Sequence, residues 1–178
     1  LYANGPVYGV DMMGKLVITD PVAHQSFDLQ IPTREVMNTR GTGYGAPTAE
    51  PVPSPYWGTE EVARTGPANP HNPMMDGKGR VWMTSTIRPR ENASWCQESD
   101  HPSVTRFPLQ RAGRQISYYD TESQTFVLID TCFDTHHLQF AADDNDTLWI
   151  SGDSNVVGWI NTKLFDETGD ERFSQGWC

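Results

Sequence analysis

Three of the five histidines stand where they could share one task. His71 opens the run His71-Asn72-Pro73-Met74-Met75-Asp76-Gly77-Lys78-Gly79-Arg80-Val81-Trp82-Met83-Thr84-Ser85, and the pair His136-His137 opens a second run that continues through Leu138-Gln139-Phe140 and Asp143-Asp144-Asn145-Asp146 to Trp149. Imidazole binds divalent metals and carries protons near neutral pH. His71, His136 and His137 are therefore the catalytic candidates, with Asp134, Asp130 or Asp100 as carboxylate neighbours, and His71, His137 and Asp134 are the candidate metal ligands. The competing reading is that these histidines cap strand ends and bond loop carbonyls. Adjacent residues of a strand point to opposite sides, so at most one of His136 and His137 is expected to face such a site.

Other residues sort by context. Trp57, Trp95 and His101 lie in irregular stretches and, with Asp134, form the candidate ligand-binding set, whereas Trp82, Trp149 and Trp159 fall on strands and are expected to pack between sheets. Asp143-Asp144-Asn145-Asp146 invites a calcium reading, but it lacks the Gly at six and Glu at twelve of an EF-hand loop. A solvated hairpin turn is the better reading. No serine has a nucleophile-elbow context. Cys96, Cys132 and Cys178 show no CxxC pair, haem motif or zinc-knuckle spacing. One disulfide with a spare thiol is favoured over three free thiols; a Cys96–Cys132 bridge fits the expected placement of both residues, and a bridge from either to Cys178 stays open.

Those residues need strands to hold them. Aligned on their tryptophans, the two histidine runs superpose Asp76 on Asp143, Val81 on Leu148 and Ser85 on Gly152, an internal repeat. A second hairpin type also recurs. Lys15 to Asp20, a turn, then Phe27, Leu29 and Ile31 in alternation match Gln115 to Asp120, a turn, then Phe126 to Ile129, each with an Asp placed to bond a turn amide. Val156 to Asn161 begins a third copy, with Asn161 in the place of Asp120. Alternating hairpins of two types describe four-stranded antiparallel blades. The fold class is thus all-β, a partial β-propeller with long loops on one face; an ordinary antiparallel sandwich is the alternative. The divisions are a blade portion at 1–31, a loop insertion at 32–70, a blade at 71–129 carrying an insertion at 88–113, and a blade at 130–178. No helix of normal length is visible, though residues 59–64 could make one turn. The insertions and the blade-entry histidines all fall on the same face, around a central channel mouth, which leaves His24 in a turn on the other face.

Composition limits the partners. Thirteen Lys and Arg against 23 Asp and Glu give a formal charge of −10, with no basic run to track a phosphate backbone, so nucleic acid is not an expected partner. No stretch approaches the roughly 18 apolar residues of a membrane span, and a soluble chain is expected. Fifteen Gly and 13 Pro mark a loop-rich protein. The chain opens at Leu1 without Met or leader and is expected to be a portion of something longer, its remaining blades supplied by further sequence or another chain.

The run from His71 to Thr84 resembles the blade signature of streptogramin lyase-like (virginiamycin B lyase-like) propellers. Residues 71–178, especially Ile129-Asp130-Thr131-Cys132-Phe133-Asp134-Thr135-His136-His137, look more like a group of large secreted bacterial propeller proteins labelled carboxypeptidase-regulatory-like. The resemblance implies a secreted or periplasmic protein and, from the lyases, a channel histidine with a carboxylate-bound magnesium that opens a cyclic ester by elimination. His71 and His136 or His137 match the blade-entry histidines. No Glu stands at a comparable strand position, so the metal, magnesium or calcium, has no obvious carboxylate cage. The expected partner is a small-molecule or carbohydrate-like ligand, or, for a non-catalytic interaction module, another protein.

Overall fold

A computed structural model describes residues 5–11, 14–34, 68–152 and 155–178. Trp57, the aromatics Tyr44 and Tyr56, and the single helical turn expected at 59–64 lie outside the described residues.

The described strands form three open antiparallel sheets in which sequence neighbours pair. The first holds β1 (Val7–Asp11), β2 (Lys15–Asp20) and β3 (Gln25–Gln30). The second holds β4 (His71–Met75), β5 (Arg80–Ser85), β6 (Gln115–Asp120) and β7 (Thr125–Ile129). The third holds β8 (His137–Phe140), β9 (Thr147–Ser151), β10 (Val157–Asn161) and β11 (Gln175–Trp177). The protein is all-β in class, with two short α-helices among the described residues.

Aspartates make the turns. Asp20, Asp120 and Asp170 each accept through Oδ1 from the amides two and three residues on, at 2.8–3.1 Å, just before β3, β7 and β11. Asp76 and Asp143 accept instead from amides two and four residues on, Lys78 and Arg80 at 2.9 Å, Asn145 at 3.2 Å and Thr147 at 2.9 Å. Gly79 at φ 79° and Asp146 at φ 48° close these two turns in the left-handed region, which Gly and, among other residues, Asp tolerate. Asp143 is thus a hairpin residue whose carboxylate serves its own backbone, and those bonds, led by that from Thr147, hold its pKa below the ordinary value.

Register shows what the first sheet is. Val81 pairs with Tyr119 and Trp82 with Tyr118; Leu148 pairs with Ile160 and Trp149 with Trp159. In the first sheet, counted from the Asp20 turn, Val7 pairs with Thr19 and Tyr8 with Ile18. So β1, β2 and β3 match the last three strands of the other sheets. Tyr8 takes the place of Trp82.

The second sheet is covered on both faces. Trp82 and Tyr118 pack with Leu138, Leu148, Ile150 and Ile160 of the third sheet, while Val81, Met83 and Tyr119 pack with Leu16 and Ile18 of the first. Every residue of β5 is consequently buried. The leading strand β4 touches both β1 and β8. Gly158 admits the Phe133 ring where a Cβ would collide with it, closing one end of the shared core.

Short helical pieces occupy two of the connections. The stretch 88–113 is ordered: it carries a 3-10 turn at Ser94–Cys96 and the helix α1 (Pro102–Arg106), capped by His101. Asn161 stands opposite Thr147 as Asp120 stands opposite Arg80, and there it caps a second helix, α2 (Thr162–Thr168), accepting from the Leu164 amide at 2.9 Å; Gly169 at φ 66° ends it. The helix is an insertion between Asn161 and the turn residue Asp170. Its Asp166 pairs with Arg80 and, at 2.6 Å, Lys78, fastening the third sheet's insertion to the second sheet.

A disulfide joins Cys96 to Cys132, so the long insertion is stapled to the segment linking the second and third sheets; Cys178 is an exposed free thiol. Beside it lies a buried charged set. Arg34 pairs with Asp130 at 2.6 Å and with Glu171 at 2.5 Å, and Arg88 pairs with Asp130 at 3.1 Å. Burial pushes the Glu171 carboxyl up to about 7, Asp130 adding to the push and Arg34 opposing it. Both Glu171 oxygens lie on the Arg34 guanidinium, a geometry that favours the charged pair, and the four side chains sum to zero charge. Among the described residues, no helix is long and apolar enough to cross a membrane.

Candidate functional site

The structure brings His71, His136 and His137 together from two sheets. One ligand nitrogen from each lies within 4.8 Å of the others. The His71 and His136 rings are 4.6 Å apart between centroids, His136 and His137 4.3 Å, and His71 and His137 6.1 Å. His137 is exposed and His136 half-buried.

Local backbone explains the convergence. His71 opens β4 opposite Thr84, whose hydroxyl donates to the His71 carbonyl at 3.2 Å. The register then shifts between His71 and Met74, where Asn72 takes φ 49°. That bulge turns the Asn72 side chain toward the third sheet, where its Oδ1 accepts from the Leu138 amide at 2.7 Å. The bond holds the start of β4 against the start of β8. His136 precedes β8, its amide donating to the Ser151 carbonyl at 2.9 Å. Being outside the regular strand, it escapes strict alternation. This corrects the expectation that only one of the adjacent histidines could face the site: both rings reach it. Asn72 is the positioning residue that the sequence reading missed. Its signal was an Asn directly before Pro73, at the head of a strand.

The expected carboxylates are elsewhere. Asp134 accepts from the Gly113 amide and does not join the histidine cluster. Asp130 is buried between Arg34 and Arg88, and Asp100 pairs with Arg172 at 2.7 Å. Of the candidate metal set, His71 and His137 meet each other and His136 takes the third place.

Nor do the other ligand candidates meet there. His101 is buried, its Nδ1 accepting from the Ser103 amide at 3.2 Å and its Nε2 donating to the Gln175 carbonyl at 3.0 Å. The ring stacks on Trp177 at 5.4 Å and lies 6.2 Å from Trp95, itself packed on the core. Trp57 is outside the described residues. Trp149, expected to pack between sheets, instead stands 42% exposed beside Trp159 on the outer face of the third sheet. With His137, Gln139, Ser151 and Val157 it lines an open groove of ≈ 320 Å³ next to the histidines.

Chemically, three imidazoles can share a proton or hold a metal. The donor set does not fit magnesium or calcium, which take oxygen ligands. Compared with protein-family models, curated proteins and solved structures, the chain has no match.

Proposed function

We propose that this chain is part of a secreted or periplasmic β-propeller that binds a small ligand at the mouth formed by His71, His136 and His137. A divalent metal held there would supply Lewis-acid chemistry of the lyase type. The observation that carries the reading is the convergence of three histidines, 65 and 66 residues apart along the chain, within 4.8 Å. Supporting it, the successive four-stranded meanders lean on one another through their leading strands β4 and β8, as blades do around an axis. The Cys96–Cys132 disulfide fits an oxidising compartment. The groove beside His137 gives a ligand an aromatic wall at Trp149.

The test is the metal content of purified protein, measured with circular dichroism as a check on folding. About one divalent metal per chain, lost in the His71→Ala, His137→Ala double variant with the β-spectrum kept, is the expected result. A metal-free protein whose double variant is indistinguishable from wild type refutes the reading.

One observation favours a second reading, a non-catalytic interaction module. Trp82 and Tyr118 are covered by the third sheet, yet their register partners in the third sheet, Trp149 and Trp159, have no described sheet over them. On that reading this face takes a further sheet or a protein partner, and the histidines only tie β4 to β8.

A further inference from the structure

The second question about this site is which metal it would select, and the answer rests on the metal reading above. We propose that the His71–His136–His137 cluster is a site for a borderline first-row transition metal, zinc(II) by preference over magnesium or calcium, held by three imidazoles with its remaining coordination position open to solvent.

Donor chemistry makes the choice. Imidazole nitrogen suits zinc, copper and nickel, while magnesium and calcium bind carboxylate, carbonyl and water oxygens. Among the described residues, the cluster of potential ligands is three histidines and no carboxylate. Each acidic side chain expected nearby is committed: Asp134 to the Gly113 amide, Asp130 to two arginines, Asp100 to Arg172. The resemblance to the lyases implies a carboxylate-bound magnesium, and these residues do not supply one.

The geometry is near what zinc requires. Zinc–imidazole bonds of roughly 2.0–2.1 Å in a tetrahedron place the nitrogens about 3.3 Å apart. The nitrogens here lie within 4.8 Å, so a contraction of about 1.5 Å at most completes the set. Ring rotation supplies it, because His137 is exposed and the backbones that carry the three rings are already fixed by the Asn72–Leu138 and His136–Ser151 bonds. Three protein ligands leave one tetrahedral position for water or an anionic ligand, the arrangement of catalytic rather than structural zinc. The groove lined by Gln139 and Trp149 adjoins the cluster, because His137 belongs to its lining.

The experiment is calorimetric titration of chelator-treated protein, carrying Cys178→Ser to remove the exposed thiol, with zinc, magnesium and calcium chlorides in turn. Cobalt(II) absorption in the visible region reports the ligand geometry. The expected result is one equivalent of zinc bound at micromolar concentration or tighter, a four-coordinate cobalt spectrum, and no heat from magnesium or calcium at millimolar concentration. His71→Ala, His136→Ala and His137→Ala should each weaken zinc by more than the roughly 10–100-fold that loss of an outer-shell partner costs, with unchanged circular dichroism. Stoichiometric magnesium or calcium without zinc overturns this inference and leaves the metal reading standing. No binding of any of the three overturns both. Zinc that survives all three substitutions places the metal elsewhere and also overturns it.

Discussion

Both ring nitrogens of His101 are engaged, one under the amide of Ser103 and the other on the carbonyl of Gln175, and the ring lies flat against Trp177. Burial is the main influence that lowers its pKa, with Arg172 helping and the Gln175 bond and Asp100 opposing. The unfolded chain therefore takes up a proton before the folded one does as pH falls. This contribution to stability is complete above the ordinary histidine value of about 6.5 and is lost as pH drops toward the folded value. His101→Asn keeps a capping acceptor for α1 but cannot titrate. Thermal melts from pH 7.5 to pH 5 should show wild type losing more stability than the variant; equal losses would refute this role. In the sequence, His101 and His71 are both histidines near prolines. What separates them is Gln175, 74 residues from His101, and Asn72 reaching 66 residues to Leu138. Contacts of that range leave no local pattern, so the chemistry of these residues was legible and their roles were not.

Turns and strands were more open to reading, because an Asp that bonds the amides after it acts within a few residues. The hairpins around Asp20, Asp76, Asp120 and Asp143 follow from such local bonds. Helices α1 and α2 were missed: five and seven residues are too few to show a period, and α2 interrupts a repeat whose strands continue on either side. The long insertion reads as irregular because much of its order comes from elsewhere, through the disulfide and through Asn92, whose side chain donates to the Cys132 carbonyl at 2.6 Å. Closing a loop across a sequence separation of 36 is worth about 4 kcal/mol in the chain-entropy account. Cys96→Ser, Cys132→Ser should lower the unfolding free energy by roughly 2–4 kcal/mol in urea titrations. A loss below about 0.5 kcal/mol would mean that the insertion is held by its polar contacts alone.

At the scale of the molecule, the three described sheets meet at two interfaces, and the middle one is covered on both faces. The repeat in the sequence announced sheets of matching register. It could not reveal that β1 stands for a second strand rather than a first, since Tyr8 replaces the tryptophan that marks that position elsewhere. Position in the stack, not residue type, decides what each aromatic contributes. Trp82→Ala empties a fully buried site and should cost about 3–5 kcal/mol, whereas Trp149→Ala, its register counterpart, should change stability by no more than about 0.5 kcal/mol. Comparable losses at the two positions, measured by chemical denaturation, would show that the third sheet is covered in solution.

That contrast between equivalent indoles gives the chain an internal optical gauge. Trp82 and Trp177 sit where acrylamide cannot reach them, while Trp149 meets solvent at the end of the stack and beside His137. Its emission should redden and quench when the face is bare and turn blue when anything settles there, so a bound ligand, an added sheet or a partner protein announces its arrival without a label.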